Sequence, residues 1–228
     1  MIIALVTLPL SLLGMQQQEG AGIAARLAGR VSPEVAALVV ELGTAASARG
    51  LPVDPLIQKA IEGGAKGVPS ERVAAAVRLV VLELDTAALA LREGGVVSDT
   101  LVIAAGEFAI TAGLSGNDIT ALARTGASPS ALTVGLRVAG TLAAIGVPSA
   151  EDIGLISSKL RSGEPAADLL SLPAVIQSEV ARGTPPAQAA AGLERAAAAQ
   201  GRRGPPPGHP QPPPHPPAPP HPPAPPHP

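Results

Sequence analysis

The chain has no cysteine, tryptophan or tyrosine, and its 228 residues include a single phenylalanine, Phe108. Without cysteine, disulfides, thiolate metal ligands, thiol nucleophiles and a lipid-modified N-terminal Cys are all excluded. With almost no aromatic rings there is nothing on which nucleobases could stack. The formal net charge of −2 gives no electrostatic pull toward a phosphate backbone or anionic lipid, so no nucleic-acid partner is expected. Charge of either sign is scarce. Asp, Glu, Lys and Arg make up 15% of the chain, against roughly 25% in ordinary soluble domains. Such a surface repels other molecules weakly, which favours self-association or docking on a protein partner. Histidine is missing from everything before His209. Imidazole-based nucleophile pairs and His-bearing metal triads therefore cannot be assembled in the main body.

Hydrophobic residues are plentiful at 46%, enough for a packed core built from Leu, Val, Ile and Ala. Alanine-rich helices can approach closely, but each small side chain buries little area, so stability per residue should be modest.

The first residues, "MIIALVTLPLSLLG", form an apolar run from Ile2 to Leu13 with Pro9 inside it. That length is short of the roughly 20 residues needed to cross a bilayer, so no stable transmembrane anchor is expected. It suits the apolar region of a secretory signal. No Lys or Arg precedes it, and Gly14 and Gly20-Ala21 are only fair cleavage sites. The expectation is a signal peptide over residues 1–20 and an exported, periplasmic or extracellular protein. The alternative is that this run is the first element of the domain and the protein is cytoplasmic.

From about Gly29 to Arg182 the sequence is punctuated by glycine and proline. Ser32-Pro33, Asp54-Pro55, Ser128-Pro129 and Thr184-Pro185 each place a capping oxygen before a proline. The oxygen accepts an otherwise unpaired N–H, and proline at the first helical position loses no hydrogen bond. Gly50, Gly67, Gly113, Gly146, Gly163 and Gly183 fall where a left-handed residue would end the preceding helix. Between these marks apolar residues recur at helical spacing: Val73, Val77, Val80, Val81, Leu84 and Ala88, then Leu132, Leu136, Ala139 and Leu142, then Ile153, Ile156 and Leu160. Short strands are conceivable in "RLVVLEL" and "GVVSDTLVIAA", but no hairpin dipeptides bound them. The prediction is an all-α domain over residues 21–200, built of short antiparallel helix hairpins in a small bundle or irregular array. The starts "GLPVDPLI", "GLSGNDIT" and "GVPSAEDI" suggest a degenerate helix-turn-helix unit used about three times. A non-repetitive helical domain would share the same turn chemistry.

Signals of catalysis are few. "EGGAKGVPS" offers Lys66 beside glycines, but no hydroxyl follows the lysine as a phosphate loop requires, and a helix end explains it better. "GLSGND" lacks the Gly-x-Ser-x-Gly pattern. Glu151 and Asp152 fit the first turn of a helix, where the dipole favours them. Glu83 and Asp85, two apart on a helix, do not face each other. Glu62, Glu93 and Glu107 are isolated in sequence. No cofactor is expected and no catalytic residue is assigned; an enzyme would need carboxylates that converge only in the fold.

After a helix-prone alanine segment over 185–200, proline dominates residues 201–228. This tail can form neither helix nor sheet ladder and should sample extended polyproline II at three residues per turn. All four histidines lie in it, six residues apart: His209, His215, His221 and His227. Six residues are two full turns, so the four imidazoles share one edge of a rod. Successive rings stand roughly 19 Å apart at about 3.1 Å per residue. Zinc–nitrogen bonds are about 2 Å, so neighbouring rings cannot share one ion, and any metal binding there would link molecules. Isolated histidines titrate near pH 6.5, so mild acid would charge the comb. The expected role is a non-enzymatic structural or interaction protein whose tail is a disordered spacer reaching an envelope or cell-wall layer. A metal- or pH-responsive function of the comb is the alternative.

Overall fold

The computed structural model describes residues 10–97 and 99–202. Among them are ten helices: α1 (Leu10–Leu27), α2 (Pro33–Ser47), α3 (Asp54–Ala65), α4 (Ser70–Glu93), α5 (Thr100–Thr111), α6 (Gly116–Ala123), α7 (Pro129–Ala144), α8 (Ser149–Ser162), α9 (Ala166–Ala181) and α10 (Pro186–Arg202). No strand occurs among the described residues, and the all-α expectation holds. "RLVVLEL" lies wholly within α4, and the described part of "GVVSDTLVIAA" runs into α5.

Local chemistry sets the helix boundaries. Ser32 and Ser128 cap α2 and α7, accepting from the N–H groups of Val35 and Ala131, with proline next in line. The other two capping pairs are displaced by one residue. Asp54 is the first residue of α3 rather than its cap, and its carboxylate pairs instead with Arg26 of α1. Helix α10 begins at Pro186, one residue past the expected start. In the first case the carboxylate lies against a neighbouring helix and no side-chain cap bond is made. All six glycines expected to end helices have positive φ, as at Gly67 (64°) and Gly163 (69°). Side chains with a Cβ rarely adopt that conformation.

The helices stack in sequence order. Helix α1 packs on α2 and α3, α4 on α2, α3, α5 and α6, α7 on α5, α6, α8 and α9, and α10 on α8 and α9. Every substantial contact joins helices one or two apart along the chain. Near-neighbour packing of this kind is common to helical repeats and to non-repetitive helical domains with short loops. The three similar sequence starts do not all take equivalent places in it. The starts at α3 and α6 lie in equivalent places, just before the long helices α4 and α7. "GVPSAEDI" opens α8, which directly follows α7. Capping chemistry marks where any helix begins, not which place it takes in a unit.

One continuous core runs through the array, with Leu27, Leu56, Leu84, Ile103, Leu122, Leu136, Leu142 and Ile156 fully buried along it. Small residues let the helices close up. A Cβ on Gly140 of α7 would lie 3.0 Å from the Ala109 Cα and 2.8 Å from the Phe108 ring of α5. The one aromatic residue therefore rests against a backbone that has been stripped of its side chain.

The expected leader boundary after residue 20 falls inside α1. Glu19, on the N-terminal side of it, accepts a hydrogen bond from Ser47 at 2.8 Å, while Ile23 and Leu27 on the other side are buried in the core. Residues 1–9 of the apolar run lie outside the described residues, as do residues 203–228 of the tail. No helix among the described residues is long and apolar enough to cross a membrane.

Candidate functional site

The four tail histidines, His209, His215, His221 and His227, all lie outside the described residues. In the body, the array brings two pairs of carboxylates together that the sequence keeps apart.

The first pair joins α6 and α8. Asp152 sits in the first turn of α8, the place expected of it, but the helix dipole does not keep it charged there. Unlike an ordinary helix-start aspartate, it is completely buried, and neither carboxylate oxygen has a hydrogen-bond partner. Burial, reinforced by the nearby Asp118 carboxylate, pushes its pKa up to about 8. The group is therefore mostly protonated at neutral pH. Asp118 itself is occupied locally: it completes a capping box with Ser115, accepting from both the Ser115 N–H and hydroxyl. The hydroxyl in "GLSGND" is thus engaged as a helix cap.

The second pair joins α4 and α5. The Thr111 hydroxyl lies 2.9 Å from Glu83 Oε2 and 3.3 Å from Glu107 Oε1. Burial and the facing Glu83 charge raise the pKa of Glu107, partly offset by the Thr111 hydroxyl. Glu83 and Asp85 do point apart, the latter accepting two 2.8 Å bonds from Arg49 of α2. Two carboxylates facing each other, one of them with a raised pKa, form the kind of arrangement acid–base chemistry uses.

The remaining charged candidates are accounted for locally. Lys66 caps the end of α3 and, with Lys59, bonds to Glu62, holding the Glu62 carboxyl below the usual range. The glycine-rich stretch around it is the helix end that its sequence suggested. Glu93 is the exposed last residue of α4.

Several shallow grooves mark the described surface. One lies between α1 and α3 beside Arg30 and Glu62; one between α2 and α4 beside Glu34, Glu71 and Arg78; one beside Ser157, Arg161 and Glu194; and one beside Arg49, Asp85 and Arg92. Neither buried carboxylate pair lines any of them. Among the described residues no three His, Asp or Glu side chains stand close enough to hold a metal ion.

The most conspicuous surface is apolar. Leu79, Leu82 and Leu89 on α4 are 54%, 62% and 52% exposed, and they lie on the side of the helix opposite its buried residues Val73, Val77, Val80, Leu84 and Leu91. Leu101 and Phe108 on α5 and Leu170 on α9 are also exposed. The same residues of α4 thus carry two apolar stripes, the buried one expected from Val73, Val77, Val80 and Leu84 and a second, outward one.

Comparison of the chain with models of protein families, with curated proteins and with solved structures found no match in any of the three.

Proposed function

We propose that this protein is an exported, non-enzymatic interaction scaffold: a helical array that offers an apolar face to a protein partner and is held at a distance by its proline-rich tail. The observation that carries this reading is the outward row of leucines on α4. Large apolar side chains kept in water on one helix face forgo burial, which is the mark of a surface meant to be covered. Low surface charge supports it, because little repulsion opposes docking. If extended, residues 205–228 would span about 70–75 Å, enough for the body to stand off from an envelope or wall layer.

The test is site-specific photo-crosslinking in the native cell, with the crosslinker at Leu82, Leu101 or Leu170 and at Arg161 as a polar control. Defined protein adducts at the apolar positions and few at the control are expected. A lack of adducts at every apolar position would reject the reading.

A second reading rests on the six-residue spacing of the tail histidines, which suits zinc bridging between molecules. Zinc titration of the full chain and of a chain ending at Gly204 separates the two. Equal binding and equal oligomeric state in both would remove the metal reading.

A further inference from the structure

The interaction reading leaves the partner open, and the charges beside the leucine row narrow it. On α4 the outward residues Ala75, Leu79, Leu82, Thr86 and Leu89 recur at alternating steps of four and three. That is the a/d pattern of a coiled-coil seam. It lies on the solvent side, separate from the seam that α4 buries in the core. Along one flank of the outer seam, Glu71, Arg78, Asp85 and Arg92 recur every seven residues with alternating sign. Glu71, Arg78 and Arg92 are exposed and Asp85 is half-exposed, so all four reach the surface.

An alternating row of this kind is its own complement when reversed. Resting on the interaction reading, we propose that the occupant of this face is a second copy of the chain, with the two α4 helices pairing antiparallel about a twofold axis. Leu79 of one copy lies against Leu82 of the other, and Ala75 against Thr86. On the flank, Glu71 meets Arg92 of the second copy and Arg78 meets Asp85, each contact occurring twice by symmetry. Within the chain Arg49 already bonds to both oxygens of the half-exposed Asp85 carboxylate, which fixes its position.

Charge fixes this register against its neighbours. Sliding one heptad in one direction sets Arg78 against Arg78 and Glu71 against Asp85. Sliding the other way sets Asp85 against Asp85 and Arg78 against Arg92. A parallel pair would place Arg72 on Arg72 and Glu93 on Glu93 along the seam. The antiparallel register centred between Leu79 and Leu82 joins opposite charges along the whole flank; a slip of one heptad meets like charges, and a slip of two heptads leaves only half of the flank charges paired.

The test is sedimentation equilibrium of the full chain over a wide concentration range. The wild type should dimerise. Glu71→Arg and Arg92→Glu each create two like-charge contacts and should each raise the dimer Kd about tenfold or more. An equimolar mixture of the two variants should restore wild-type dimerisation, because every reversed charge then meets an opposite one. Leu82→Asp should abolish the dimer, with circular dichroism confirming that each variant remains folded. A wild type that is monomeric throughout, single variants that dimerise like wild type, or a mixture no better than its components would overturn the proposal. The crosslinker at Leu82 separates this failure from that of the broader reading. Adducts with a different protein alone would remove self-pairing and leave the scaffold, whereas adducts nowhere would remove both.

Discussion

Helix α4 carries leucines on the face it turns to water, whereas helix α8 carries an aspartate on the face it turns inward. Both helices belong to the same continuous core and both are flanked by neighbours one or two places along the chain. In α4 the anomaly costs the fold nothing directly: Leu79, Leu82 and Leu89 forgo burial, and the inner seam of Val73, Val77, Val80 and Leu84 holds the helix in place. In α8 the anomaly is a burden, because a carboxyl without partners loses its hydration and receives no hydrogen bond in return. An exposed leucine seam asks for a partner outside the fold, while an orphaned buried carboxyl makes the fold sensitive to pH.

The largest effect that sharpens this contrast lies inside α4. Leu84→Ala should destabilise the protein by about 2–5 kcal/mol in urea denaturation, as expected for a fully buried leucine. Leu82→Ala, two residues away on the other face, belongs at the opposite end of the scale. If the two substitutions cost the monomer the same, the distinction between the seams is lost.

The next effect concerns α8. At pH below 3.8, the ordinary value for an aspartate, Asp152 is protonated in the folded and unfolded chain alike. Between there and about 8 only the unfolded chain ionises, so the folded state binds the extra proton and stability falls as pH rises. The contribution of this one group changes by up to about 1.4 kcal/mol per pH unit across that interval and levels off above it. Thermal melts of wild type and Asp152→Asn from pH 4 to 9 measure it. The gap between the two should change in favour of the variant as pH rises, and a constant gap would show that Asp152 is not held protonated. Glu107 shifts in the same direction and should add a slope of the same sign.

Smaller still is the Arg49–Asp85 pair, which ties α2 to α4 with both partners partly exposed. Arg49→Ala should cost about 0.2–1 kcal/mol, less at high salt. Last comes Leu82→Ala, which should move monomer stability by less than about 0.5 kcal/mol, measured well below the dimer Kd.

Much of the fold can be read from single residues. Glycines at helix ends, Ser32 and Ser128 at helix starts and the apolar spacing in α4, α7 and α8 act over a few neighbouring residues, so they survive in any arrangement. Where tertiary contacts enter, local reading slips: Asp54 lies against Arg26 of α1 and makes no cap bond. The carboxylate pairs were less legible. Asp152 looks like any helix-start acid, and nothing in "SAEDIG" says that its side chain will face neighbouring helices instead of water. Glu83 and Glu107 are distant in sequence and meet because α4 and α5 pack side by side. The outer seam of α4 was fully visible as a spacing of leucines and alternating charges. Its exposure was not, since the inner and outer faces have the same period.

The sequence by itself determined that this protein would be helical, where its helices stop, and that its imidazoles would be confined to a proline-rich stretch. Those outcomes follow from backbone dihedral limits, missing N–H groups and side-chain periodicity, which operate within a few residues. Which of two equivalent apolar faces is buried, and which carboxylates lose their water, were decided only when helices one or two apart in the chain closed on each other. Burial is a property of neighbours in space, and it is the exclusion of water by those neighbours that turns one apolar row of α4 into core and leaves the other on the surface.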